Sequence, residues 1–326
     1  MPRTLAWIFP GQNSRYPAMI EKLIAYDRDN SHWVERASDA VGRDLGRHFR
    51  ADNAEAFARN RDVQIGVFLA NHLHWQNLER AGLRADCSAG LSLGEYNHLV
   101  HIGALDFDDA VRLLQARGTE YERGPAGKMA AVFPVTVDEI DPMLRDLDLP
   151  DRVGVGMINT PRQLVLSGDA AAVDACAARA EEAFAAESCV VEHALPMHSP
   201  LFRAVADRFR GALEAVRWRR PARPYLSNVS GRFELDPSAD LFVDRLSRHV
   251  CSTVRWRDCV EALASSAPQV TFVETGPKTI LTGLFSRKWF SPARFATDAV
   301  DDFDVRLDAL VEELSNGSGR AAAFTD

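Results

Sequence analysis

Ser92 is the residue around which chemistry could be built. It lies in Gly90-Leu91-Ser92-Leu93-Gly94-Glu95, where a short apolar run ends and a helix-like pattern of Leu93, Tyr96, Leu99 and Val100 begins. Gly-x-Ser-x-Gly at such a junction is a nucleophile elbow. The turn is crowded enough to need small residues on both flanks, and it lifts the serine hydroxyl out of a sheet. It also sets that oxygen at the positive end of the following helix, where an alkoxide or oxyanion is favoured. The same spacing suits a plain glycine-rich turn. A base, oxyanion donors and a group that selects substrate must therefore come from elsewhere in the chain.

Nine histidines compete for the base. His72, His74, His98 and His101 fall on predicted helices and read as surface or packing residues. His198 sits in Pro196-Met197-His198-Ser199-Pro200, just after a predicted strand, where a side chain can be aimed free of helix geometry. Spacing alone suits a locally bonded loop histidine at least as well. Arg117, near the end of a predicted helix, reads by itself as a surface cation compensating the helix dipole.

The remaining composition narrows the class. A chain of 326 residues, 46% hydrophobic and 26% charged, suits one large domain or two smaller ones. A net charge of −8 argues against nucleic acid as partner. The basic clusters, Arg217-Trp218-Arg219-Arg220 with Arg223 and residues 245–257, read as solvated faces that could meet an acidic partner locally. Cys87, Cys176, Cys189, Cys251 and Cys259 are scattered and show no metal-ligand spacing, so a reduced, cytoplasmic protein without structural metal is expected. The N-terminus has no long apolar region before Pro10-Gly11; neither a signal peptide nor a membrane span is expected.

These residues need elements to position them. Residues 5–9 read as a buried strand closed by Pro10-Gly11, and 17–28, 32–42 and 64–83 as helices. A helix from the elbow to about 102 and another over 107–118, continuing to 123, follow. From 128 the pattern becomes strand 129–135, helix 137–147 capped by Thr136 with Glu139, strands 153–158 and 163–166, helix 170–186 and strand 189–193. That βαββαβ order is the split βαβ, ferredoxin-like unit. Helices 201–216, 239–250 and 256–265 come next, with strands 224–228 and 270–274. The expected organisation is a discontinuous large α/β domain, 1–127 and 196–314, around a small domain, 128–195. Residues 315–326 are expected to be a disordered tail.

Seven motifs occur in order: Phe9-Pro10-Gly11-Gln12, the 90–95 elbow, Arg117-Gly118, Met197-His198-Ser199-Pro200, Ser227-Asn228-Val229-Ser230-Gly231, Val254-Arg255-Trp256 and Glu274-Thr275-Gly276-Pro277. Together, over about residues 5 to 290, they resemble the malonyl-CoA:acyl carrier protein transacylase family, which includes polyketide-synthase acyltransferase domains. The resemblance implies an α/β fold, a large α/β-hydrolase-like domain with a parallel sheet and an inserted ferredoxin-like small domain. It implies Ser92 as nucleophile and His198 as base, in a dyad whose imidazole is oriented by a backbone carbonyl, expected at Arg255. Gln12 and the Leu93 N–H match the oxyanion hole. Arg117 matches the arginine that grips a malonyl carboxylate, Gln64 a pocket glutamine and Asn159 a loop asparagine near the thioester entrance. No bound cofactor or metal is implied. The substrates would be an acyl-CoA thioester and the phosphopantetheine of an acyl carrier protein, and the enzyme would be a discrete monomer.

The pocket lining departs from the family pattern. Leu91 stands where histidine is usual, Met197 where phenylalanine or serine is common, and Tyr121 where smaller residues are usual. The expected activity is transfer of an acyl group, malonyl first, from CoA or a carrier through a Ser92 ester to an acyl carrier protein, in polyketide or fatty-acid biosynthesis. The alternatives are transfer of an aminoacyl or starter group between two carriers, an esterase with an acidic third triad member, and a non-catalytic carrier-docking protein. An acidic carrier would need a local basic patch; Arg217–Arg223 and Arg145, Arg152 and Arg162 are the expected sites.

Overall fold

The computed structural model describes residues 4–147, 151–298 and 303–315. Its strands, in chain order, are β1 (Thr4–Phe9), β2 (Cys87–Gly90), β3 (Lys128–Phe133), β4 (Val153–Thr160), β5 (Gln163–Gly168), β6 (Glu187–Glu192), β7 (Tyr225–Ser227), β8 (Arg232–Glu234), β9 (Val270–Glu274) and β10 (Arg294–Ala296). They form two four-stranded sheets and a hairpin.

The first sheet has the order β10-β9-β1-β2 and is parallel throughout. Parallel pairing needs long crossovers and helices on both faces, so its strands read as apolar runs, as Leu5-Ala6-Trp7-Ile8-Phe9 does. Trp7, Ile8 and Phe9 are fully buried. Each such side chain contributes on the order of 1.5–3 kcal/mol through removal from water. The chain runs from β1 to β2 on one side and returns to β9 on the other. A doubly wound sheet opens a crevice outside the carboxyl ends of its strands where strand order reverses. The residues following β1, β2 and β9 are Gln12, Ser92 and Lys278 with their neighbours.

The second sheet, β4-β5-β3-β6, is antiparallel. With helices Val137–Asp146 and Ala170–Phe184 on one side it is the expected βαββαβ unit. The Thr136–Glu139 capping box forms as the sequence predicts. Ile140, Leu144, Leu166, Val173 and Cys176 belong to a core of its own, distinct from the two apolar cores around the parallel sheet. The sheets meet where Ile158 N–H donates to Val254 O at 2.9 Å and Val254 N–H to Gly156 O at 2.9 Å.

The main departures are local. Strand β8 and the short edge strand β10 lack the alternating apolar pattern that would reveal them. Helix Phe303–Ser315 reaches into the expected tail, placing Ser315 in helix; residues 316–326 lie outside the described region. Among the described residues no helix is long and apolar enough to cross a membrane.

Candidate active site

Ser92 stands between β2 and helix Gly94–His101 with φ at +51°. A non-glycine residue in the left-handed region costs on the order of 1 kcal/mol, so the surroundings must hold it there. The flanking glycines explain part of how. A Cβ on Gly90 would come within 1.9 Å of Gly94 C, and one on Gly94 within 2.1 Å of Phe9 O. Asn228 supplies the rest: its Oδ1 accepts the Ser92 N–H at 2.8 Å and its Nδ2 donates to Gly90 O at 2.8 Å. Asn228 lies in the Ser227–Gly231 motif, and nothing local in the sequence shows that it reaches the elbow.

His198 reaches Ser92 from 106 residues further along the chain. His198 is itself left-handed, φ +61°, in the loop that returns from the small sheet. Its N–H donates to Val250 O at 3.0 Å, and the neighbouring Met197 O accepts from Ser167 Oγ at 2.6 Å. Its Nε2 lies 2.8 Å from Ser92 Oγ. Its Nδ1 lies 2.7 Å from His249 O. A carbonyl only accepts, so Nδ1 carries the proton; in the neutral ring Nε2 is then left to accept from the serine hydroxyl. Burial, together with the Arg117 charge, pushes the His198 imidazole down to about 3, despite the opposing carbonyl bond. The ring is therefore neutral at neutral pH.

The orienting carbonyl is that of His249, which corrects the expectation of Arg255. Arg255 starts helix Trp256–Ala264, and its carbonyl accepts the first helical bond, from Cys259 N–H at 3.1 Å. The acidic third member that an esterase would require is absent from His198 as well; Nδ1 meets a carbonyl there, not a carboxylate.

Arg117 is not the surface cation its helical position suggests. It is 1% exposed. Its Nη1 donates to Gln64 Oε1 at 2.9 Å, and its guanidinium lies 4.5 Å from the Tyr121 ring and 5.5 Å from that of Tyr96. Among the described residues its Nε and Nη2 have no hydrogen-bond partner. Gly118 permits this arrangement. A Cβ there would lie 2.2 Å from Arg61 Cα, so helices Asn60–Arg80 and Phe107–Glu122 approach closely enough for Gln64 to reach Arg117.

Gln64 continues a polar chain towards Gln12. Its Nε2 donates to Asn60 Oδ1 at 2.7 Å, and Asn60 Nδ2 donates to Gln12 Oε1 at 3.3 Å. Gln12 Nε2 lies 3.5 Å from Glu192 Oε2. Asn60, which the sequence did not single out, falls at i−4 from Gln64 on one helix. The Gln12 turn is anchored by Asn71, whose Nδ2 donates to Pro10 O at 3.0 Å. The Leu93 N–H, just after Ser92, makes no hydrogen bond among the described residues. Leu91 and Met197 are buried in apolar cores. Asn159 donates from Nδ2 to Gln163 Oε1 at 3.1 Å.

A groove of about 720 Å³ begins beside Gln12, lined among others by Asn13, Arg15, Tyr16, Arg50, Phe57 and Lys278. Its lining includes these three cations and no carboxylate. Arg50 pairs with Asp52 at 3.1 Å, whereas Arg15 and Lys278 form no salt bridge among the described residues. Arg15 donates to Gln12 O at 3.2 Å and Lys278 to Asn13 O at 3.3 Å, which brings both charges to the groove wall. Burial and the Arg15 charge hold the Lys278 ammonium below its ordinary value. The arginine clusters singled out in the sequence are more neutralised: Arg219 meets Asp106, Arg220 lies 3.3 Å from Asp236, and Arg152 lies 2.6 Å from Asp169.

A serine on a parallel-sheet elbow with a neutral imidazole at hydrogen-bond distance fits the class of α/β acyltransferases. The chain belongs to the acyl transferase domain family, whose model matches residues 6–297. It is 29% identical over 291 residues to the malonyl CoA-acyl carrier protein transacylase of Haemophilus influenzae, covering 87% of this chain and 92% of that one. Among solved structures it is similar to the malonyl-CoA:acyl carrier protein transacylase of Xanthomonas oryzae, with TM-score 0.84, 31% identity and coverage of 95% and 99%. It is also similar to a malonyl transacylase solved in complex with its type II polyketide-synthase acyl carrier protein, with TM-score 0.84, 27% identity and coverage of 95% and 99%.

Proposed function

We propose that this chain moves a malonyl group from a CoA thioester, through an ester on Ser92, to the phosphopantetheine thiol of an acyl carrier protein. The observation that carries the reading is the buried Arg117 guanidinium with two unused donor groups. A sealed charge without a counter-ion is unfavourable, and a substrate carboxylate would supply both the charge and the bonds. Its flat fork suits the two oxygens of a carboxylate.

In the first half-reaction His198 Nε2 takes the Ser92 proton as Oγ attacks the thioester carbonyl. The oxyanion that forms is stabilised by Gln12 and the Leu93 N–H. Collapse breaks the C–S bond, and His198 returns its proton to the departing thiolate. In the second half the carrier thiol gives its proton to His198 and its sulfur attacks the ester carbonyl; collapse breaks the C–O bond, and Ser92 Oγ leaves with that proton from His198. The helix following Ser92 presents its positive end to both tetrahedral states. The cationic groove beside Gln12 would receive the phosphate-bearing part of either thiol arm. Malonyl transacylases among the relatives, one of them complexed with a carrier, support this assignment of donor and acceptor.

The test is intact-protein mass spectrometry after incubation with malonyl-, acetyl- and aminoacyl-CoA and the corresponding carriers. A malonyl mass on the wild type, lost in Ser92→Ala, is the expected result. Preferential loading of an uncharged or aminoacyl group overturns the malonyl assignment, and no mass gain with any donor overturns the acyl-enzyme.

A further inference from the structure

We propose that Glu95 is a positioning residue that holds both members of the Ser92–His198 pair, the nucleophile through Asn228 and the base through His249. The proposal rests on the acyl-enzyme reading above but concerns a residue to which that chemistry gives no task. Glu95 is fully buried, on the first turn of the helix that follows Ser92. A carboxyl sealed from water is tolerated only where its oxygens are bonded. Oε1 accepts from Tyr225 OH at 2.6 Å and from Asn228 N–H at 3.1 Å. Oε2 lies 3.2 Å from His249 Nδ1.

Two of these neighbours, Asn228 and His249, lead to the Ser92–His198 pair in one step. The Asn228 side chain clips Ser92 N–H and Gly90 O together across the strained turn. The His249 carbonyl fixes the His198 tautomer, and the His249 ring stacks on the His198 ring with centroids 4.9 Å apart and planes at 30°. One carboxyl thus bonds the backbone of the residue that clips Ser92 and lies 3.2 Å from the ring of the residue whose carbonyl orients His198, outside hydrogen-bond geometry. Other ionisable groups around it are Tyr96, Tyr225, Cys259 and Arg117.

The contacts do not require a charge. Oε1 accepts in either protonation state, and one proton placed on Oε2 or on Nδ1 serves their approach equally. Glutamine reproduces the pattern: its oxygen accepts from Tyr225 and Asn228, and its amide donates to His249. Alanine removes it all. A positional role therefore separates these two substitutions, whereas a role as counter-ion to the His198 imidazolium does not.

Malonyl transfer kinetics and single-turnover acylation of Ser92, followed by intact mass, provide the test. Glu95→Ala is expected to lower kcat about 100-fold with KM for malonyl-CoA changed less than about twofold, the signature of misplaced reacting groups. Glu95→Gln is expected to stay within about threefold of wild type in both constants. A Glu95→Gln as slow as Glu95→Ala overturns positioning in favour of charge; a folded Glu95→Ala with wild-type kcat overturns any role. His249→Leu keeps the carbonyl but removes the ring nitrogen that lies 3.2 Å from Glu95, and carries the test should Glu95→Ala not fold. A fall in its kcat of about tenfold supports the proposal, and wild-type kcat overturns it. A wild type that gains no mass on Ser92 overturns the underlying acyl-enzyme reading. A wild type that acylates beside a Glu95→Ala acylating equally fast overturns only this proposal.

Discussion

Arg117 and its two unused donors concentrate the specificity question in one side chain. Two charge-assisted bonds to a carboxylate are together worth roughly 3 kcal/mol or more, so Arg117→Ala should lower kcat/KM for malonyl transfer at least about 100-fold. Acetyl transfer, which lacks the carboxylate, should change by less than about threefold; comparing the two acyl-CoAs in one steady-state assay checks this. Equal losses for both groups would mean that Arg117 supports the fold and not the substrate. Asn228 gives a second test at this scale. Asn228→Ala releases Ser92 N–H and Gly90 O from their clip, and kcat should fall about tenfold while KM holds. Sequence alone shows neither role. Arg117 reads as a surface cation until the helix carrying Gln64 closes over it, and Asn228 is 136 residues from the backbone it clips.

Between elements, close approach sets the geometry. Gly118 lets the Gln64 and Arg117 helices touch, and a Cβ there must displace the Arg61 backbone. Gly118→Ala is therefore expected to separate Arg117 from Gln64 and raise KM for malonyl-CoA more than it lowers kcat, read from steady-state kinetics beside a thermal melt. The parallel strands place the Gln12, Ser92 and Lys278 segments at one end of the sheet because all three follow strand carboxyl ends. That arrangement puts Arg15 and Lys278 at the same end of the sheet as Ser92. Arg15→Glu with Lys278→Glu should raise KM for both malonyl-CoA and malonyl-carrier while leaving a phosphate-free malonyl N-acetylcysteamine thioester unaffected. An equal effect on the phosphate-free thioester would remove the groove from substrate binding.

At the scale of the whole molecule, buried ionisable groups set the response to acid. Burial pushes His72, His98, His101 and His198 down to about 3 and His74 to about 4, and holds His249 well below its ordinary value of 6.5. Below pH 6.5 the unfolded chain binds protons at these rings that the folded chain refuses, so their contribution to stability is lost as pH falls. Burial raises Glu95 and Glu274 from 4.5 to about 7, which has the opposite sign: between those values the folded chain holds protons that the unfolded chain lacks. The histidines outnumber the glutamates, and each net proton is worth about 1.4 kcal/mol per pH unit. Tm measured by circular dichroism should therefore fall steadily from pH 6.5 to pH 5. A flat profile would mean that the histidines are hydrated in the folded state.

Local spacing was enough for what lies within a turn or one helical repeat. The 90–95 elbow, the Thr136–Glu139 capping box and the βαββαβ order are short-range patterns whose backbone consequences are nearly fixed, and the structure contains all three. Tertiary structure decided whatever depends on which distant carbonyl or side chain arrives at a given atom. It brought His198 to Ser92 across 106 residues. It gave the orienting role to the His249 carbonyl, because helix formation had already claimed that of Arg255. It also placed Glu95 and Asn228 behind Ser92, and Asn60 between Gln12 and Gln64. Periodicity reports which face of an element is buried; it does not report what the crossover connections carry to that face, and here they carry the groups that hold the site together.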